Sequence, residues 1–138
     1  MSIPVRVVLA SDDLLARARV LAAAGAAGAD VHVVPATRFA EAIAGADVLI
    51  IDLDAGRDEA LTELTAAGGS AALPPVVVGF VSHVDGDLAR AAREAGVRAV
   101  ARGRFWAALP DLLRDPARFD PSSRSGGRGG PPAAPPAP

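Results

Sequence analysis

The side chains able to do chemistry are few, and most are carboxylates. Asp52 and Asp54 close the run Val48-Leu49-Ile50-Ile51-Asp52-Leu53-Asp54. Asp12 and Asp13 follow the apolar stretch that ends at Ala10, Ser82 and His83 follow Val76-Val77-Val78-Gly79-Phe80, and Arg102 and Arg104 flank Gly103. Carboxylates gathered in one place repel unless a cation joins them. A small metal- or anion-binding enzyme using Asp52, Asp54 and His83 is therefore one reading, and Mg²⁺ its natural guest. Each residue also has a plainer role. Asp12 and Asp13 fit a helix N-terminus as caps, Asp54 can cap or solvate the next turn, and His83 fits an ordinary loop. Asp52, a charge straight after an apolar strand, is the hardest to account for in this way. Ser82, His83 and Asp85 are too close along the chain to converge as a catalytic triad.

Composition removes many alternatives. The 138 residues contain no Cys, Lys, Asn, Gln or Tyr, and all 14 basic residues are Arg. Without thiols there are no disulfides, thiolate metal sites or cysteine nucleophiles. Without lysine there is no Schiff base and no phosphate-loop amine. A formal net charge of −2 gives no footprint for a nucleic-acid binder. No G-x-G-x-x-G follows the first strand, and no G-x-S-x-G elbow occurs. The beginning of the chain places Arg6 inside a short apolar run, unlike a secretory leader, and no stretch approaches the ~18 apolar residues of a membrane span. The expectation is a soluble, cytoplasmic protein.

Positioning these residues falls to five repeats of strand then helix over 1–114. The strands are Val5–Ala10, Val31–Val34, Val48–Ile51, Pro75–Phe80 and Val97–Ala101, rich in β-branched residues. His32, in mid-strand, reads as a partly buried structural residue. Leu14, Ala18 and Leu21 recur at helical spacing after Asp13 and predict the buried stripe of a first helix that stops at Gly25. Thr37 predicts a second helix carrying Phe39, Ala42, Ile43 and Ala46. Leu61 and Leu64 mark a third, closed by Gly68-Gly69. Leu88, Ala91, Ala92 and Ala95 mark a fourth, closed by Gly96. Phe105, Leu109, Leu112 and Leu113 mark a fifth, with Pro110 fitting only a first turn or a kink. Strands alternating with helices imply a parallel sheet covered on both faces. The predicted fold is α/β, a flavodoxin-like doubly wound sheet of five strands in the order 2-1-3-4-5. Its ligands would bind beyond the carboxyl ends of the strands, where the acidic residues fall. Residues 115–138, DPARFDPSSRSGGRGGPPAAPPAP, hold seven of the twelve prolines and predict a disordered Pro/Gly/Ser-rich tail.

With the repeats in place, residues 3–114 resemble a bacterial response-regulator receiver domain. The resemblance rests on Val48-Leu49-Ile50-Ile51-Asp52-Leu53-Asp54, on Leu73-Pro74-Pro75-Val76-Val77-Val78, and on Ala91-Ala92-Arg93-Glu94-Ala95-Gly96-Val97. It implies that Asp52 stands at the phosphoacceptor position. It also implies an acidic pair after strand one, a hydroxyl after strand four and a lysine after strand five. Here Leu9 and Ala10 occupy the acidic slots, with Asp12 and Asp13 two or three residues late. Val81 or Ser82 takes the hydroxyl position, Gly103 the lysine position, and Val100 that of an aromatic switch. Arginine's planar fork does not replace a compact ammonium. The expectation is a degenerate, non-enzymatic pseudo-receiver without a cofactor, used in signal transduction as a regulatory or protein-interaction module. An atypical phospho-accepting receiver at Asp52 is the alternative within the family. Partner binding or self-association is expected through the face of the fourth helix, fifth strand and fifth helix, with Trp106, the one tryptophan, as candidate anchor. The candidate rim pocket comprises Asp12, Asp13, Asp54, Ser82, His83, Arg102 and Arg104.

Overall fold

A computed structural model describes residues 3–68 and 73–119. Strands β1 (Arg6–Ala10), β2 (Asp30–Val34), β3 (Val48–Asp52), β4 (Val76–Val81) and β5 (Arg98–Ala101) form one parallel sheet in the order β2-β1-β3-β4-β5. Four helices flank it: α1 (Leu14–Ala27), α2 (Arg57–Gly68), α3 (Gly86–Ala95) and α4 (Arg102–Arg114). The architecture is the flavodoxin-like one. Helices α1 and α4 cover one face, packing Val20, Phe105 and Leu112 on Val7, Leu9, Ile50, Val78 and Phe80. Helices α2 and α3 cover the other, packing Leu64 and Leu88 on Val8, Leu49, Ile51 and Val81. β3 lies at the centre with every residue buried. That is why its sequence is a continuous apolar run and does not alternate.

Three elements depart from the sequence reading. The second helix is absent: Phe39 and Ile43 are buried, but only a 3-10 turn, Ala40–Ala42, forms between them. Just 13 residues separate Val34 from Val48, and Pro35 and a positive-φ Gly45 punctuate them. The Glu63 carboxylate of α2 accepts the Phe39 and Ala40 amides at 3.1 and 2.9 Å, closing the turn from outside.

The α1 stripe is reversed. Ala16, Val20 and Ala24 face the core, while Leu14, Ala18 and Leu21 are exposed. Because α1 is apolar on both sides, its period does not say which side turns inward. The helix also runs through Gly25 and ends at Gly28, whose φ of 73° and N–H to Ala24 O make the left-handed cap. Lastly, Pro110 sits inside α4 on its exposed side. The buried contacts of Phe105, Leu109, Leu112 and Leu113 hold the helix on both sides of it.

Two smaller corrections concern burial and the end of the fold. His32 is exposed, because β2 is the sheet edge. The ordered chain continues past residue 114 through a 3-10 turn at Pro116–Arg118 to Phe119, which packs against the α1–α4 side of the core. The remainder of the expected tail, 120–138, lies outside the described residues, as does Gly69 of the glycine pair expected to close the third helix.

Candidate functional site

The carboxyl ends of β1, β3, β4 and β5 bring together Ser11, Asp13, Asp52, Asp54, Ser82 and Arg102. Two of these are unlike the rest of the interior: among the described residues, Ser11 and Asp52 are the buried polar side chains. They are partners, with Ser11 Oγ donating to Asp52 Oδ2 at 3.2 Å. The same hydroxyl oxygen accepts the Asp13 amide at 3.1 Å, and Asp52 Oδ1 accepts the Asp54 amide at 3.0 Å. A buried carboxylate needs such donors to offset lost hydration.

The turn that carries Asp54 depends on a glycine. A Cβ built on Gly79 of β4 would lie 2.6 Å from Leu53 Cδ1. The absence of a side chain at Gly79 therefore lets Leu53 fold down over the sheet. Asp52 and Asp54 then turn to the same rim, and the Leu53 amide bonds Phe80 O at 2.9 Å.

Arg102 is the hub. Its Nε donates to Asp54 Oδ2 at 2.8 Å, and its Nη2 lies 3.6 Å from both Asp52 Oδ1 and Asp13 Oδ2. Its guanidinium also rests over the Phe80 ring at 4.8 Å. Ser82 completes Asp54, donating from its amide at 3.0 Å and its hydroxyl at 2.9 Å. Burial raises the Asp52 pKa above the ordinary aspartate value, and the nearby Arg102 and the hydrogen bonds only partly offset it. At Asp54 burial acts upward too, but the bonds from Arg102 and Ser82 outweigh it and hold this carboxyl low. The Arg102 pKa is raised, chiefly by its bond to Asp54.

The cluster also serves helix α4. That helix begins at Arg102 behind Ala101, which offers no side-chain cap, and it has no acidic residue in its first turn. Arg102 and Arg104 oppose the helix dipole there. Asp13, Asp52 and Asp54 supply the missing negative charge from the ends of β1 and β3.

The expected residues are thus partly assembled. Asp13 is both cap and cluster member, since its Oδ1 accepts the Leu15 and Ala16 amides at 2.9 and 3.2 Å while Oδ2 faces Arg102. Asp12 instead turns to Arg17 at 3.7 Å and to the Ala36 amide at 3.4 Å. His83 is exposed in the loop that leads to Asp85, the N-cap of α3. Arg104 is exposed on α4. Trp106 is half-buried, 5.4 Å from Phe80 and 4.9 Å from Phe105, and the Arg19 guanidinium covers its ring at 4.5 Å. It is largely committed to joining α1 and α4.

Among the described residues, no three of His, Cys, Asp or Glu gather as metal ligands would, and no helix is long and apolar enough to cross a membrane. Sequence reasoning missed Ser11, whose hydroxyl was hidden among presumed capping residues. Its signal was a polar side chain directly after four apolar strand residues. No protein-family model matches the chain, and no curated protein matches its sequence.

Proposed function

We propose that the chain is a receiver-like module that acts by protein interaction, without catalysis and without the usual phosphorylation at Asp52. One observation carries this reading: Asp52 is 2% exposed, has both oxygens engaged, and has a guanidinium beside it. An acyl-phosphate donor must present its phosphorus to a free carboxylate lone pair. A metal must also neutralise the charge that develops in transfer. Here Ser11 and the Asp54 amide each hold one oxygen of a carboxylate that is almost wholly buried, and the Arg102 guanidinium lies 3.6 Å from Oδ1. The positions that the family resemblance gives to metal-holding acids, Leu9 and Ala10, are fully buried apolar side chains.

Output by interaction fits the surface around α3, β5 and α4, whose α4 end is fixed to the rim through Arg102. The partner is a separate protein in the cytoplasm or a second copy of the chain.

The test is incubation with acetyl phosphate and Mg²⁺, read by intact mass. The expected result is no added phosphoryl group. A mass gain of one phosphoryl group that disappears in Asp52→Ala would overturn the reading in favour of an atypical phospho-accepting receiver. A metal enzyme makes a third forecast: Mg²⁺, Mn²⁺ or Zn²⁺ would raise the melting temperature of the parent but not of Asp52→Ala.

A further inference from the structure

The outer edge of β2 holds hydrogen-bonding groups that the fold does not use. β2 pairs with β1 on one side, and no strand lies on the other among the described residues. The Asp30 amide donates to Val5 O at 2.9 Å, and Val34 O accepts the Ser11 amide at 3.0 Å. In a parallel ladder both backbone groups of a residue point the same way, and neighbouring residues point oppositely. Asp30, His32 and Val34 thus face β1, while Val31 and Val33 turn their N–H and C=O outward. Among the described residues those four groups have no partner.

Beside this edge the sheet is thinly covered. A crossover between parallel strands is usually a helix, but the chain from β2 to β3 forms only the turn at Ala40–Ala42. Two clefts of about 740 and 230 Å³ remain along β2, and they share His32 and Ala42. The wall of the larger is fixed, because Glu63 holds the Phe39 and Ala40 amides. Arg38 and Glu41 line that cleft and are exposed. Neither side chain has a hydrogen bond or ion pair among the described residues. By contrast, Arg17, Arg57, Arg90, Arg102, Arg114 and Arg118 each have a carboxylate partner. Arg6 and Asp30, again of opposite sign, line the smaller cleft.

We propose that β2 accepts an extended peptide of another protein as a sixth strand, one with a basic and an acidic side chain two residues apart. Main-chain bonds to Val31 and Val33 supply the pairing, and alternate side chains fall into the cleft. Residues two apart lie on one face of a strand, so both charges enter together. The acidic group meets the Arg38 fork and the basic one meets Glu41. A simple anion or cation would be repelled by one of the two. Residues 120–138 of the chain itself fit poorly, since six of these nineteen are proline and lack the amide a strand needs. The site lies at the opposite edge of the sheet from β5 and does not depend on the reading of Asp52.

The test titrates two capped peptides, Val-Lys-Val-Glu-Val and Val-Glu-Val-Lys-Val, into the isotope-labelled full chain. One order should bind about two- to fivefold more tightly than the other and should move the Val31 and Val33 amide signals. N-methylation of one alternate set of residues in that peptide should abolish binding, and of the other set should not. Arg38→Glu combined with Glu41→Arg changes only exposed side chains, so the fold is kept. In that double variant the preference between the two peptides should reverse.

No shift at Val31 or Val33 with either peptide up to about 5 mM overturns the proposal. So does equal binding of the two orders, or a preference that survives the charge exchange. If those amides shift on dilution of the chain alone, or on truncation after Phe119, a second copy or the chain's own segment occupies the edge. The proposal then likewise fails.

Discussion

The Nε of Arg102 sits 2.8 Å from Asp54 Oδ2, tying the first residue of α4 to the loop after β3. Because Asp54 also binds Ser82, this one contact links three of the five strand ends. Arg102→Ala would leave three carboxylates without their shared cation and cut the tie between α4 and the rim. A loss of about 1–3 kcal/mol is expected by urea denaturation. Arg102→Lys should recover only part of it, because an ammonium cannot bond Asp54 and reach toward Asp13 and Asp52 with one planar fork. Full recovery by lysine would show that charge alone is what matters.

Asp52 and Asp54 should affect stability in opposite senses. Burial raises the Asp52 pKa in the native state, so the native protein holds that proton more tightly than the unfolded chain does. Its contribution is fully present below the unfolded value and is lost as pH rises through the native one. Asp52→Asn should therefore be tolerated or mildly stabilising at pH 7, within about 1 kcal/mol, and should flatten the decline in stability with rising pH. A loss of several kcal/mol would mean that the ionised form is held by more than Ser11, Asp54 and Arg102.

Asp54 has the lowered pKa. Its contribution is present above the unfolded value and is lost as pH falls through the native one. Asp54→Asn should cost about 1–3 kcal/mol at pH 7, and the difference from the parent should shrink at the acid end of a melting series.

Gly79→Ala tests the packing that places both carboxylates. The new methyl would meet Leu53 at 2.6 Å in a fully packed interior, so about 1–3 kcal/mol of overpacking strain is expected. Amide shifts of Asp54 and Ser82 should move with it. Gly79→Ala combined with Leu53→Ala should relieve much of that strain, at the cost of a cavity.

Phe119 marks where folded structure continues beyond α4. Truncation after Arg114 should lower the melting temperature, since it removes a ring packed on the core and exposes apolar area worth roughly 1–2 kcal/mol. Truncation after Phe119 should leave the melting temperature close to that of the full chain.

The strands were legible because a buried parallel sheet demands long β-branched runs, and Val48–Ile51 and Val76–Val78 could be little else. Strand order is not written in the residues; it came from the handedness and two-sided helix packing of doubly wound sheets. What misled was the ambiguity of alanine. On α1, Ala16, Val20 and Ala24 compete with Leu14, Ala18 and Leu21, and the larger residues lost the core because α1 packs close against the sheet and α4. Phe39 and Ile43 mark burial correctly, but burial near a short connection does not require a helix. At the rim, the run ending in Asp52 announced itself. The choice of Arg102 over Arg104 did not, because it depends on where α4 begins. Asp12 and Asp13 are adjacent in sequence yet point to different neighbours, a separation that only three-dimensional packing decides.

The aromatic stack has an optical consequence. Phe80 touches the Arg102 guanidinium and also the Trp106 ring, so the one indole of the chain lies a single side chain away from the acidic rim. With no tyrosine present, ultraviolet emission comes from that indole almost alone. Anything that draws Arg102 off its carboxylates disturbs the environment of the fluorophore, and the protein reports it without a label.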